Sequence, residues 1–183
     1  MAELKIAVPE DFPALSRLWQ AVFGDGGDFI GRFFDLLWTP GCCLAVIEDG
    51  EAAAMGFCLR GARAAGYSCG YIYAMATRPE RRGAGLATAI GRALIEDAYA
   101  DGVDIISTLP AERSLNAWYE SRLGMTPVFR KGGEGVVFPQ SWLDFAKLCG
   151  GHDPNTPERL LAVSRDGRIL HEVMGMGWEH TFD

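Results

Sequence analysis

The stretch from Tyr71 to Thr88 constrains this chain more than any other. Tyr71-Ile72-Tyr73-Ala74-Met75-Ala76-Thr77 reads as a buried strand, and Arg78-Pro79-Glu80-Arg81-Arg82 as a proline-stopped turn carrying three arginines. Gly83-Ala84-Gly85-Leu86-Ala87-Thr88 then opens a helix whose apolar stripe runs through Ile90, Leu94, Ile95, Ala98 and Tyr99. At the start of a helix the backbone N–H groups lack internal partners, and the macrodipole presents partial positive charge. Gly83 and Gly85 remove the Cβ atoms that would hold an anion away from those groups. The pattern predicts a pyrophosphate cradle at a strand–helix junction. A tight turn that needs glycine for its backbone alone is the plainer reading of the same residues.

Glycine-rich anion sites come in several kinds. A nucleotide-triphosphate loop needs Lys-Ser or Lys-Thr after its last glycine, whereas Gly85 is followed by Leu86-Ala87. A dinucleotide fingerprint wants three glycines directly after the strand and an acidic ribose ligand about 20 residues on. Asp101 and Asp104 lie near that distance, but the third glycine is missing and Arg78-Pro79-Glu80-Arg81-Arg82 intervenes before the first.

A third kind fits better. Arg82-Gly83-Ala84-Gly85-Leu86-Ala87 resembles the (Gln/Arg)-x-x-Gly-x-(Gly/Ala) signature of the GNAT superfamily of N-acetyltransferases, which bind acetyl-coenzyme A. Ala76-Thr77-Arg78-Pro79-Glu80-Arg81-Arg82-Gly83 is similar to that superfamily's lead-in. Pro110-Ala111-Glu112-Arg113-Ser114-Leu115-Asn116-Ala117-Trp118-Tyr119, then Leu123-Gly124-Met125, resembles its second block. Leu18-Trp19, Phe23-Gly24-Asp25 and Phe33-Phe34 are similar to the front end of bacterial members. The resemblance runs from about Leu4 to Phe129, and two blocks in order specify more than either glycine motif alone. It implies an α/β (α+β) fold, with a mixed, strongly bent central sheet flanked by helices.

Composition agrees with one domain, or one domain with a small extension. The chain has 183 residues, 49% of them hydrophobic, and a net charge of −7. That acidity argues against nucleic acid or an anionic membrane as partner, and no apolar run approaches the roughly 20 residues of a membrane span. Met1-Ala2-Glu3-Leu4-Lys5 has no signal-peptide core. The five cysteines, at 42, 43, 58, 69 and 149, include an adjacent pair and no Cys-x-x-Cys. Their number and spacing favour reduced, buried thiols over disulfides or a metal site, and hence a cytoplasmic setting.

Along the chain, Leu4–Ala7 reads as a strand, Pro9-Glu10-Asp11 opens an amphipathic helix, and a second helix follows Gly24-Asp25-Gly26-Gly27-Asp28. Cys42–Glu48 and Ala52–Arg60 read as strands joined by Asp49-Gly50, a hairpin signal. After the glycine-opened helix come a strand at Asp104–Leu109, a helix at Ala111–Arg122 and a strand at Met125–Arg130, with Val136–Phe138 as its expected partner. The core is expected over 1–138. A C-terminal extension over 139–183 is expected to pack on the core or on a second subunit, leaving a homodimer open. Within it Pro139–Cys149 reads as helix, and Arg159–Ser164 with Arg168–Met174 as a hairpin around Asp166-Gly167.

The resemblance also implies site residues. It assigns backbone contacts with the pantetheine arm to Met75 and Thr77, with the Ala76 peptide close by, and the pyrophosphate to Arg81, Arg82, Gly83, Ala84, Gly85, Leu86, Ala87 and Thr88. Backbone N–H groups near the strand end would stabilise an oxyanion. Tyr119 is the candidate general acid, since a phenol of reference pKa near 10 can protonate a departing thiolate. The superfamily's tyrosine usually lies four residues before the glycine, whereas Tyr119 lies five before Gly124; counting backward from Gly124 points to Glu120 instead. The superfamily's cofactor-contacting asparagine is replaced by Glu112, so Asn116 inherits no contact. Asp25 and Asp28 stand in the loop between the first helices, and His152, His171 and His180 are scattered. The reading is an N-acetyltransferase that uses acetyl-CoA as co-substrate and a primary amine of a small molecule or peptide as acceptor. The rival is a CoA-binding module without transferase activity.

Overall fold

The computed structural model describes residues 3–183; Met1 and Ala2, the first residues of the expected core and of the stretch read as lacking a signal core, lie outside them. Strand β1 (Leu4–Ile6) leads into a 3₁₀ turn at Pro9–Asp11. There the Asp11 carboxylate accepts from the Val8 N–H at 2.9 Å and pairs with Lys5 Nζ at 2.9 Å. Helix α1 (Phe12–Phe23) follows and stops at Gly24, whose φ of 77° is the left-handed conformation of a helix C-terminus. Helix α2 (Gly27–Leu37) buries Ile30, Phe33, Phe34 and Leu37 along one stripe.

Asp49 and Gly50, with φ of 52° and 77°, supply the two left-handed residues of a tight hairpin. They join β2 (Cys43–Glu48) to β3 (Glu51–Ala64), antiparallel, with Cys43 opposite Phe57 and Glu48 opposite Glu51. Strand β4 (Tyr67–Thr77) and helix α3 (Leu86–Ala100) come next. The chain forms two compact units, the first running to Leu59 with Ile72–Glu96, the second comprising Arg60–Tyr71 and Asp97–Asp183. The core of the first unit is aromatic. Trp19 lies 4.8 Å from Phe33 and 5.8 Å from both Phe57 and Tyr73, ring centre to ring centre.

The second unit carries β5 (Ile105–Thr108), α4 (Asn116–Leu123), β6 (Thr126–Lys131), α5 (Gln140–Ala146), β7 (Arg159–Val163), α6 (Gly167–Val173) and β8 (Gly177–Trp178). Strand β7 lies between β5 and β6, antiparallel to both, while β6 pairs parallel with β8. The mixed sheet therefore has the order β1-β2-β3-β4-β5-β7-β6-β8, with six α-helices among the described residues. Residues 139–183 are ordered by what they bury: Trp142, Phe145, Leu160, Leu161 and Trp178 are all buried, and the Tyr71 hydroxyl donates to the Thr181 carbonyl at 2.6 Å.

Two expectations are corrected. Residues 167–173 form a helix rather than the second arm of a hairpin, because the Asp166 carboxylate caps it by accepting from the Arg168 N–H at 3.0 Å. Val137 bridges antiparallel to Arg63 on β3 instead of pairing with β6, whose two sides are occupied by β7 and β8. Among the described residues no disulfide links the cysteines, four of which are buried. No helix there is long and apolar enough to cross a membrane.

Candidate active site

In the first unit the site begins in the last turns of β4. Ala74 holds a φ of 51° in the middle of the strand, a left-handed conformation that costs an L-residue about 1–2 kcal/mol. This residue immediately precedes Met75, Ala76 and Thr77. Met75 and Thr77 are half-buried and Ala76 is buried. Behind them Gly56 of β3 lets α3 come close. A Cβ at Gly56 would meet Met75 Sδ at 2.6 Å, Ile90 Cγ2 at 2.9 Å and Leu94 Cδ1 at 3.1 Å.

The arginine turn is held by the β2–β3 hairpin. The Arg78 N–H donates to the Ala53 carbonyl and its guanidinium to the Ala52 carbonyl, both at 2.9 Å. Arg81 Nη1 lies 2.6 Å from Glu48 Oε2. Arg82 is exposed, with one 3.3 Å hydrogen bond from Nε to the Thr77 carbonyl.

The glycines then do what their type suggested. Gly83 and Gly85 have φ of 82° and 79°, and nothing lies within 4 Å of a Cβ placed on either. The first hydrogen bond at the start of α3 runs from the Ala89 N–H to the Gly85 carbonyl at 3.0 Å. The amides of Leu86, Ala87 and Thr88 therefore stand ahead of the helical ladder. Residues 83–85 are exposed and 86–88 half-buried, so an anion meets open backbone rather than side chains. The residues present fit a pyrophosphate.

In the second unit Tyr119 lies on α4, which ends at Gly124 with φ of 67°. Tyr119 is buried and Glu120 exposed. The ring packs edge-on against Trp118 at 4.9 Å. Burial pushes the phenol up to about 12, against the pull of a hydrogen bond with the Thr108 hydroxyl. The reference value near 10 is thus corrected upward, because the phenolate would be charged in a place with almost no water. Thr108, itself buried on β5, was missed in the sequence; a threonine at a strand end carries no signal until its partner is placed. Asn116 Oδ1, on the same helix, is buried with no hydrogen-bond partner among the described residues.

The remaining candidates take other places. Glu112 is exposed, and its carbonyl accepts from the Leu115 N–H at 3.1 Å. Asp25 Oδ2 accepts from the Trp19 indole N–H at 2.7 Å, which fixes the loop after α1. Asp28 is exposed in the first turn of α2. His152 sits 3.3 Å from Asp183, His180 packs on Phe138, and His171 is exposed on α6.

The acetyltransferase (GNAT) family model matches residues 12–125. The chain belongs to that family, whose co-substrate is acetyl-CoA, and is an acyltransferase of the N-acetyltransferase type. No curated protein matches it in sequence. Among solved structures it is similar to the GNAT family N-acetyltransferase YhbS from Escherichia coli in complex with CoA, at 17% identity and TM-score 0.68, over 98% of this chain and 89% of that one. It is also similar to the NatC complex bound to Gag peptide and CoA, at 15% identity and TM-score 0.65, over 90% and 98% of the two chains. The ribosomal-protein-S18-alanine N-acetyltransferase from Escherichia coli matches at 15% identity and TM-score 0.62, over 90% and 94%. At these identities the likeness concerns the fold.

Proposed function

We propose that this protein transfers the acetyl group of acetyl-CoA to a primary amine of a small molecule or a peptide. One observation carries the reading: Gly83 and Gly85 are both left-handed, and open amides at residues 86–88 follow them. Those amides and Arg82 hold the pyrophosphate, while the backbone of Met75, Ala76 and Thr77 receives the pantetheine arm and donates to the developing oxyanion. Acetyl-CoA supplies the thioester. The amine nitrogen adds to its carbonyl carbon, the carbon–sulfur bond breaks, and the nitrogen releases one proton to water, which reprotonates Tyr119 after each turnover. Tyr119 supplies the proton that the leaving sulfur takes up. A phenol at about 12 stays loaded throughout neutral pH, and low-dielectric surroundings raise the basicity of the thiolate it serves as well. We place the protein in the cytoplasm, where the buried thiols Cys42, Cys43, Cys58 and Cys69 stay reduced.

The test is a panel of small amines and N-terminal peptides incubated with acetyl-CoA, reading thiol release and the mass of the acetylated acceptor. Amine-dependent thiol release above the uncatalysed rate supports the reading. CoA binding with no release across the panel favours a CoA-binding module instead.

A further inference from the structure

We propose that Glu48 and Arg81 form a positioning pair, with Arg81 setting the pose of the phosphate cradle rather than touching phosphate. The inference rests on the cradle proposed above. In the sequence Arg78, Arg81 and Arg82 look alike, three cations gathered before a glycine-opened helix. The structure separates them. Arg78 is committed to the carbonyls of Ala52 and Ala53. Arg81 meets Glu48 Oε2 at 2.6 Å, with the two side chains 34% and 25% exposed. Only Arg82 is an exposed residue, held by one 3.3 Å bond to a carbonyl.

Glu48 is the last residue of β2, just before the Asp49-Gly50 turn. The segment that leads into Gly83 is therefore fastened at three points to one hairpin: at Ala53, at Ala52 and at Glu48. The Arg81 N–H is also closed off, bonded to the Arg78 carbonyl at 2.9 Å. The amide of Arg81 and its Nη1 are thus both occupied within the protein. A short, partly desolvated, charge-assisted contact of this kind holds geometry better than an exposed ion pair does. Its net charge is zero, so it adds little to the field that an arriving phosphate feels.

Two roles for Arg81 predict opposite signs at Glu48. If Arg81 were a phosphate ligand, Glu48 would compete with the phosphate, and removing Glu48 would tighten CoA binding. If the pair positions the turn, losing either partner loosens the cradle alike. Calorimetric CoA titrations should compare wild type, Glu48→Ala, Arg81→Ala, their double variant and Arg82→Ala, each at several salt concentrations and with melting curves to confirm folding. We expect each single change in the pair to weaken CoA binding by about three- to tenfold, and the double variant to be no weaker than either. The double variant, which removes one charge of each sign, should keep the salt dependence of wild type, whereas Arg82→Ala should flatten it. The KM for acetyl-CoA should rise with kcat unchanged at saturation, and Glu48→Gln, which keeps the shape and loses the charge, should fall between wild type and Glu48→Ala. Unchanged or tighter binding by Glu48→Ala, or a double variant weaker by the product of the single effects, overturns the inference while leaving the cradle standing. A folded wild-type protein that binds no CoA overturns both.

Discussion

A Cβ placed on Gly56 falls 2.6 Å from Met75 Sδ, closer than packed atoms can sit. Ile90 Cγ2 and Leu94 Cδ1 close the same space from α3, at 2.9 and 3.1 Å. The missing side chain lets the helix that follows Gly83 and Gly85 lie against the strand before them. Gly56→Val should displace Met75 and α3 together, lowering stability by about 1–3 kcal/mol as overpacking does. The KM for acetyl-CoA should rise in parallel. Chemical denaturation and steady-state kinetics on the same preparation check both.

Tyr119→Phe removes one oxygen and leaves the packing against Trp118 nearly intact. We expect kcat to fall about 10- to 100-fold with CoA affinity little changed, while loss of the buried hydrogen bond with Thr108 lowers stability by about 1 kcal/mol. With the phenol pushed up to about 12, it remains protonated below that value. The kcat profile of the wild-type enzyme should therefore show no loss from this group between about pH 7 and 10. An unchanged kcat in the variant, with chemistry shown to limit turnover, would make Tyr119 a core aromatic.

Asp183 provides a pH test of the C-terminal packing. Burial alone would raise its pKa. Hydrogen bonds from Thr181, the Asp153 N–H, His152 and Thr156 outweigh burial and hold the carboxylate below its ordinary 3.8. A carboxylate whose folded pKa is depressed stabilises the fold above its unfolded value and loses that contribution as pH falls through the folded one. Asp183→Asn should thus cost about 1–3 kcal/mol at neutral pH and progressively less below pH 3.8. The gap between the melting curves of the two proteins should narrow as pH falls below 3.8.

Much of this architecture can be read from local patterns. The Asp49-Gly50 hairpin, the strand ending at Thr77 and the helix beginning at Leu86 are written in neighbouring residues, where φ preferences and periodicity act. Asp166-Gly167 misled because the same dipeptide serves a hairpin turn or a helix cap, and only the tertiary setting chooses. Val137 finds Arg63, and Arg81 finds Glu48, across whole intervening strands and helices, a separation no local rule spans. The acidity of Tyr119 depends on burial among residues of other elements. Motif letters therefore mark where the cradle is proposed, while the contacts that set its three arginines apart require the folded chain.

The most direct measurement is CoA affinity by calorimetry in Gly85→Glu beside Gly85→Ala. Both substitutions force an L-residue into a φ of 79°, so they share the backbone penalty, but only glutamate places a negative charge where the pyrophosphate is proposed to sit. We predict that Gly85→Ala binds CoA within about tenfold of wild type and that folded Gly85→Glu loses binding by at least about a hundredfold, a difference of roughly 1.4 kcal/mol or more between the two. Undiminished CoA affinity in a folded Gly85→Glu protein would contradict the cradle, and with it the proposed mode of cofactor binding.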